Sequence, residues 1–340
     1  MTVRAAPAPA TLSRPLPDSL MSPLRRFATS WEALLLAVAA AVFVANSLAS
    51  PYFLDVWNLS DATFNFTEKS IIALAMAFVV MAGEIDLSVG GIVALSSTAM
   101  GEAAAAGVGT PGLVAVGLGV GAACGLFNGL LVARLGLPSI MATIGTMSLY
   151  RGVSYLALGD GVLKDYPAGF GWFGQGYVAG PLSFEFACFL VLAVIAGVAL
   201  HRTVFGRAVR AIGSNPFAAL FSGLRVGRIR LVLFLLTGLA SGLAAVMLTG
   251  RLGSTRPSIA LGWELDVVTI VVLGGISIQG GSGTVPGVVI AAFVMGLVTY
   301  GLGLLNVPGI VMSIVVGALL IGTIALPILV GRALRRRRAA

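Results

Sequence analysis

The sequence predicts an all-α polytopic membrane protein of about ten transmembrane helices, in two inverted five-helix halves with broken helices. Three observations predict it. Of the 340 residues, 58% are hydrophobic and only 10% are charged, against about 25% charged in soluble domains. The apolar residues fall in successive runs near the length of about 20 that a spanning helix needs. Most of the 21 Lys and Arg fall between those runs, where membrane topology accounts for them. The net charge of +8 therefore reads as topology and not as nucleic-acid affinity. The 45 glycines fit a chain whose helices approach closely in lipid.

The expected spans run from Trp31 to Ser50, Ala62 to Ala82, Gly91 to Ala106, Gly112 to Ala133 and Pro138 to Leu158. The second set is Phe186 to Leu200, Leu231 to Thr249, Val267 to Ile278, Val285 to Leu304 and Val307 to Val330. The third and eighth are short. With the N-terminus inside, the basic residues before the first span, Arg202 to Arg230 and the tail Arg332 to Arg338 all fall on the cytoplasmic side, as the positive-inside rule requires. Gly159 to Ser183 then lies outside, carrying Tyr166, Phe170, Trp172, Phe173 and Tyr177, and reads as an interfacial or partner-contacting loop. Residues 1–28, rich in Pro, Ala and Arg, read as a disordered cytoplasmic arm. The first span reads as an uncleaved anchor, since its apolar stretch exceeds a usual signal core.

Two stretches resemble one another. Val79 to Gly91 (VVMAGEIDLSVGG) and Val271 to Gly283 (VVLGGISIQGGSG) are each an apolar helix that breaks at glycine and then turns polar. Broken helices in matching positions of two halves point to a transport path. Candidates for that path are Glu84, Asp86 and Ser88 in the first break, Asn128 on the glycine-rich fourth span, and Ser277 and Gln279 in the second break. A charge at mid-membrane costs about 2.5–3.5 kcal/mol, so Glu84 and Asp86 need water or partners. Either they shape the break beside the path, or the segment reaches the cytoplasmic surface and they are solvated caps, with Asp86 or Ser88 capping the next helix. Asn128 either faces the path or bonds a neighbouring helix. Gly117, Gly121, Gly125 and Gly129, with Gly238 and Gly242, read as faces for close helix packing.

The remaining soluble stretch, Thr203 to Arg230, holds an amphipathic run, Gly206 to Ile212, and then Gly-Ser-Asn-Pro. Ser214 or Asn215 can cap a second short helix with Pro216 in its first turn, and Phe217, Ala218, Leu220, Phe221 and Leu224 give it an apolar face. Such a helix either docks a partner or lies on the bilayer. Cys124 and Cys188 lie in apolar runs and read as packing residues. With one histidine, His201, the chain lacks the makings of a zinc site or a catalytic triad. Neither a catalytic residue, a metal nor a cofactor is expected on it.

The stretches Gly83 to Gly91, Pro138 to Gly145 (PSIMATIG), Gly206 to Gly223 and Val272 to Gly287 (VLGGISIQGGSGTVPG) together resemble the permease subunit of bacterial ABC importers of the ribose/xylose/rhamnose class. The marks extend over residues 70–325. Glu84 stands where glycine is more usual in that family. The resemblance implies a permease domain over 29–331 with a cytoplasmic coupling loop at 202–230 and a basic tail at 332–340. It implies an inner-membrane setting with both termini cytoplasmic, a second permease subunit of identical or related sequence, an ATP-binding subunit, and a periplasmic or lipoprotein sugar-binding protein. It also assigns ATPase coupling to Gly206, Arg207, Arg210, Ile212, Gly213, Ser214, Asn215, Pro216, Ala218, Ala219 and Gly223. The chain has no Gly-x-x-x-x-Gly-Lys-Ser/Thr run, so ATP chemistry belongs to a partner. Gly145 to Gly152 and the aromatic loop look closest to rhamnose-type permeases. The autoinducer-2 group is similar, and ribose, xylose and galactose stay open. A different class, an ion-coupled secondary transporter using Lys69, Glu84 and Asp86, would share the broken helices but not the arginine-rich loop. A membrane scaffold would leave the broken helices unexplained.

Overall fold

The computed structural model describes residues 30–319 together with 321, 322 and 325. The arm at 1–28, the tail at 332–340 and the end of the tenth expected span lie outside the described residues. Helix α1 covers Trp31–Ala49, capped by the Ser30 hydroxyl. Helices α2 (Val56–Phe64) and α3 (Thr67–Met81) follow one another with a 51° bend. Then come α4 (Val89–Ala105), α5 (Thr110–Ala133) and α6 (Ser139–Leu158). A short helix α7 (Trp172–Gln175) and a two-stranded antiparallel hairpin, β1 (Tyr177–Ala179) with β2 (Leu182–Ser183), lead into α8 (Phe184–Arg202). Helices α9 (Val204–Ser214) and α10 (Pro216–Phe221) precede α11 (Val226–Leu252), α12 (Trp263–Leu273) and α13 (Val285–Leu304). The last, α14, covers Gly309–Leu319.

The architecture is that of a polytopic helical membrane protein, but among the described residues ten spans are not reached on length and apolarity. Five helices, α1, α5, α8, α11 and α13, qualify alone, and the bent pair α2–α3 makes six. The shortfall has a physical cause. Helix α12 stops after 11 residues because the chain breaks at Gly274, and non-helical backbone at membrane depth is tolerated where protein covers it. Helix α4 has 17 residues.

The core is built on the crossing of α5 and α11. A Cβ added to Gly242 would lie 2.6 Å from the Gly117 carbonyl, and one on Gly125 would lie 2.9 Å from the Gly238 Cα. As the numbers rise along α5 they fall along α11, so the helices are antiparallel. Without a hydrophobic drive between helices in lipid, such backbone contact supplies the packing energy. The glycine stripes thus do what close-packing glycines were expected to do.

Helices α3 and α12 pack side by side and run parallel. Lys69 and Asp266 meet near their N-terminal ends at 2.5 Å. Beyond their C-terminal ends the Gly281 N–H donates to the Met81 carbonyl at 2.8 Å. Matching segments of inverted halves would lie at opposite faces of the membrane. These two lie at one face, so this pair of similar stretches does not itself relate inverted halves.

The aromatic loop, expected at an interface or against a partner, folds back on the bundle. Phe170 is fully buried and stacks on Tyr166, Leu163 bridges Thr255, and the Gln175 side chain donates to the Arg251 carbonyl at 2.7 Å. Of its five aromatics only Trp172 and Tyr177 are exposed.

Candidate functional site: two helix breaks under an amphipathic segment

Both breaks end their helix with the same local device. Gly83 (φ 81°) and Gly275 (φ 82°) take the left-handed conformation, which only glycine adopts without cost. The Glu84 N–H then reaches back to Val79 O at 3.1 Å, and the Ile276 N–H to Val271 O at 3.3 Å. This six-to-one bond closes the orphan carbonyls of a helix end.

After that the breaks diverge. The first is filled by side chains. Asp86 is 0% exposed. Its Oδ1 accepts the Ser88 N–H at 3.0 Å and the Ser88 hydroxyl at 2.6 Å, and its Oδ2 accepts the Thr237 hydroxyl from α11 at 2.7 Å. The chain of bonds continues outward: Asn128 donates to Ser88 Oγ at 2.7 Å, and Tyr150 donates to Asn128 Oδ1 at 2.9 Å. One buried network thus ties the first break to α5, α6 and α11. Glu84 sits at its edge and pairs with Arg230 at 2.7 Å. Ser139 and Thr143 of α6 accept the N–H groups of Ile85 and Leu87.

Neither carboxylate is a solvated cap, as one sequence reading had it, since each is buried on partners. Nor does Ser88 cap α4 through its side chain. Its hydroxyl is engaged by Asp86. Asn128 makes the helix-to-helix bond that was its alternative to facing a path. Spacing along the chain could not reveal Thr237 and Tyr150, because their role depends on which helices meet.

The second break, Gly274 to Ser282, is held by backbone. Ser277 N–H donates to Ser282 O at 3.1 Å, and the Ser277 hydroxyl accepts the Gln279 N–H at 3.2 Å. Gly280 (φ 86°) and Gly281 (φ 78°) leave room for α9: a Cβ on Gly280 would lie 2.9 Å from the Gly213 carbonyl. Ser277 and Gln279 therefore sit beside the first break, with Gln279 O 4.0 Å from where a Cβ on Gly83 would lie.

The amphipathic segment rests on this junction. Thr203 caps α9 through its side chain. Gly206, Ala208, Val209 and Ile212 are buried, and Gly213 lies against the Met81 carbonyl and the Gly281 amide with no room for a side chain. Arg207 and Arg210 lie on the other side of α9, with Arg210 reaching His201. Asn215 caps α10 by accepting the Ala218 N–H at 3.0 Å, and Pro216 opens its first turn. Of the two candidate caps, Asn215 serves, and the Ser214 hydroxyl bonds back to Arg210 O. Ala219 is buried, while Ala218 is exposed, and Gly223 (φ 84°) turns the chain toward α11. Phe217 (74% exposed), Leu220 (56%) and Phe221 (88%) project from α10.

Residues 58–324 match the family described as the branched-chain amino acid transport system / permease component. The L-arabinose ABC transporter permease protein of Azospirillum brasilense is 35% identical over 312 residues, 90% of this chain and 91% of the relative. The ribose import permease protein of Bacillus subtilis is 37% identical, over 81% of this chain and 86% of the relative. The autoinducer 2 import system permease protein of Escherichia coli is 35% identical, over 87% and 91%. No solved structure matches. Membership sets aside the secondary-transporter and scaffold readings. It also makes the chain a multi-pass component of the inner membrane that works with separate ATP-binding and substrate-binding subunits and is not itself a catalyst. The chain belongs to the branched-chain-type permease component family, as a permease subunit of an ABC importer of the sugar class.

Proposed function

We propose that this permease translocates a neutral monosaccharide, with a rhamnose-like sugar as the leading substrate, and that its α9–α10 segment docks the ATP-binding subunit. The observation that carries the coupling assignment is the division of labour in that segment. Helix α9 is seated on both helix breaks, while α10 presents Phe217, Leu220 and Phe221 to solvent. An exposed apolar knuckle on a capped helix is a surface for a partner groove, and a partner moving α10 would move α9 against both breaks. The basic residues from Arg202 to Arg230 surround it, which supports a cytoplasmic position for this face and for the N-terminus. Trp31 at the start of α1 lies on the same face, its indole donating to Leu273 O at 2.8 Å.

The substrate class draws support from the relatives named above, whose names specify arabinose, ribose and autoinducer 2. The rhamnose preference rests on the likeness of Gly145 to Gly152 and the aromatic loop to rhamnose-type permeases. A pair of permease subunits, identical or related, completes the proposal. Reconstitution with the cognate ATP-binding and binding proteins, followed by competitive uptake of L-rhamnose, L-arabinose and D-ribose, tests it. L-Rhamnose taken up in preference supports the leading guess. Preference for another sugar replaces it, and uptake of none of them removes the monosaccharide reading. For docking, Phe217→Glu with Phe221→Glu should abolish co-purification of the ATP-binding subunit. Retained co-purification would overturn the docking assignment.

A further inference from the structure

A polar cavity lies away from both helix breaks, at the far ends of α3 and α13. It has a volume of about 500 Å³, within the range of roughly 300–1,000 Å³ typical of small-molecule sites. Its polar lining consists of Asn65, Lys69, Asp266, Thr299, Tyr300 and Ser313. Lys69 and Asp266 are partly exposed, each 23%, and the Lys69 ammonium also stands 5.4 Å from the Trp263 ring. Beneath it is a recess of about 20 Å³ that reaches Ile270 and Met295, room for about one water molecule. The cavity thus narrows in the direction of the coupling face and closes on apolar side chains.

Charged side chains on membrane helices face the bundle interior or a water-filled cavity, and the partial exposure of both members of this pair favours water in this space. We infer that it is a substrate vestibule on the side opposite the coupling segment, and that it takes a neutral polyhydroxylated ligand of monosaccharide size. The inference rests on the sugar-importer reading above and adds a site to it. The charge balance selects the ligand class. Lys69 and Asp266 neutralise one another, so an anion or cation gains no net attraction and would have to break the pair. A sugar hydroxyl both donates and accepts, and can bond to the ammonium and the carboxylate together while leaving them paired. The amide of Asn65 and the hydroxyl of Tyr300 offer the same two-way bonding, while the hydroxyls of Thr299 and Ser313, which donate to Met295 O at 2.9 Å and Gly309 O at 3.2 Å, stand ready to accept. Leu304, Met312 and Val316 supply an apolar wall for the C–H face of a ring.

The test uses the assembled importer in proteoliposomes, with Cys124→Ala and Cys188→Ser removing the native thiols and Ser313→Cys introduced. A cationic methanethiosulfonate reagent should label the new thiol. Millimolar L-rhamnose, L-arabinose or D-ribose should slow that labelling at least ~fivefold for the transported sugar, the value expected at about four times its Kd. Glucose 6-phosphate should not. Asp266→Ala should abolish the protection. Should that variant fail to assemble, Asn65→Ala, at the exposed rim, should reduce it. An unlabelled thiol would show the space to be lipid-filled and overturn the inference. So would labelling that no sugar slows while the same vesicles accumulate one of them, an outcome that leaves the importer reading intact.

Discussion

The two helix breaks start alike and are completed by different chemistry. Each ends a parallel helix with a left-handed glycine and a six-to-one backbone bond. The first is then filled by Asp86 and Ser88, whose bonds run to Thr237, Asn128 and Tyr150 on three other helices. The second has Ile278 and Gly280 at the corresponding places and uses backbone and close glycine contacts. The difference teaches that one break is a junction for the helix bundle and the other a seat for α9. Polar side chains can couple several helices at once in a dry interior, and backbone glycines can bring two segments into contact without side-chain volume.

The largest expected effect breaks both at once. Gly213→Leu puts a side chain where the Met81 carbonyl and Gly281 amide lie, so α9 must lift from its seat. Uptake should be lost altogether, while the protein still inserts in the membrane. Normal uptake by this variant would show that the seat is not needed. Next, Asp86→Ala strips the acceptor from three donors, and each buried donor left unpaired costs about 1–3 kcal/mol. Detergent melting should fall by far more than for any substitution in the second break, and a melting temperature equal to that of the parent would remove the junction role. Gly280→Ala adds a Cβ at a φ of 86°, worth about 1–2 kcal/mol of backbone strain, together with close contact to α9. Hydrogen exchange should quicken at Gly206 to Ser214 but not at Asn128 or Tyr150; a spread to the latter would mean that the breaks are one unit. The smallest effect is Tyr150→Phe, which removes a hydroxyl shared between Asn128 Oδ1 at 2.9 Å and the Cys124 carbonyl at 3.1 Å, a bond worth about 0.5–1.5 kcal/mol. It should lower the melting point slightly, and double-mutant coupling with Asn128→Ala should account for most of the loss. Independent, additive losses would disconnect Tyr150 from the network.

Much of this was legible in the residues because apolar run length and basic residues obey one-dimensional rules. The helices near Trp31, Gly112, Phe186 and Val285 start within a few residues of where the hydropathy places them. The two breaks were legible as glycine-ended apolar helices, and the α10 cap as Ser214 or Asn215 before Pro216. What failed was arrangement. The similar stretches looked like mates in inverted halves, yet Met81 and Gly281 touch. The aromatic loop read as interfacial or partner-contacting, yet Phe170 is in the core. The polar cavity joins Lys69 to Asp266, a pair 197 residues apart that no local pattern connects.

The sequence by itself determined that the chain is a helical membrane protein with two glycine-ended breaks, an amphipathic segment and no ATP-binding motif, because lipid leaves the backbone few ways to satisfy its polar groups. Only the tertiary structure decided which partners each polar group found. Burial makes a carboxylate such as Asp86 depend on donors from whatever helices pack around it, and that packing is set by glycine contacts between α5 and α11 that are far apart in the chain.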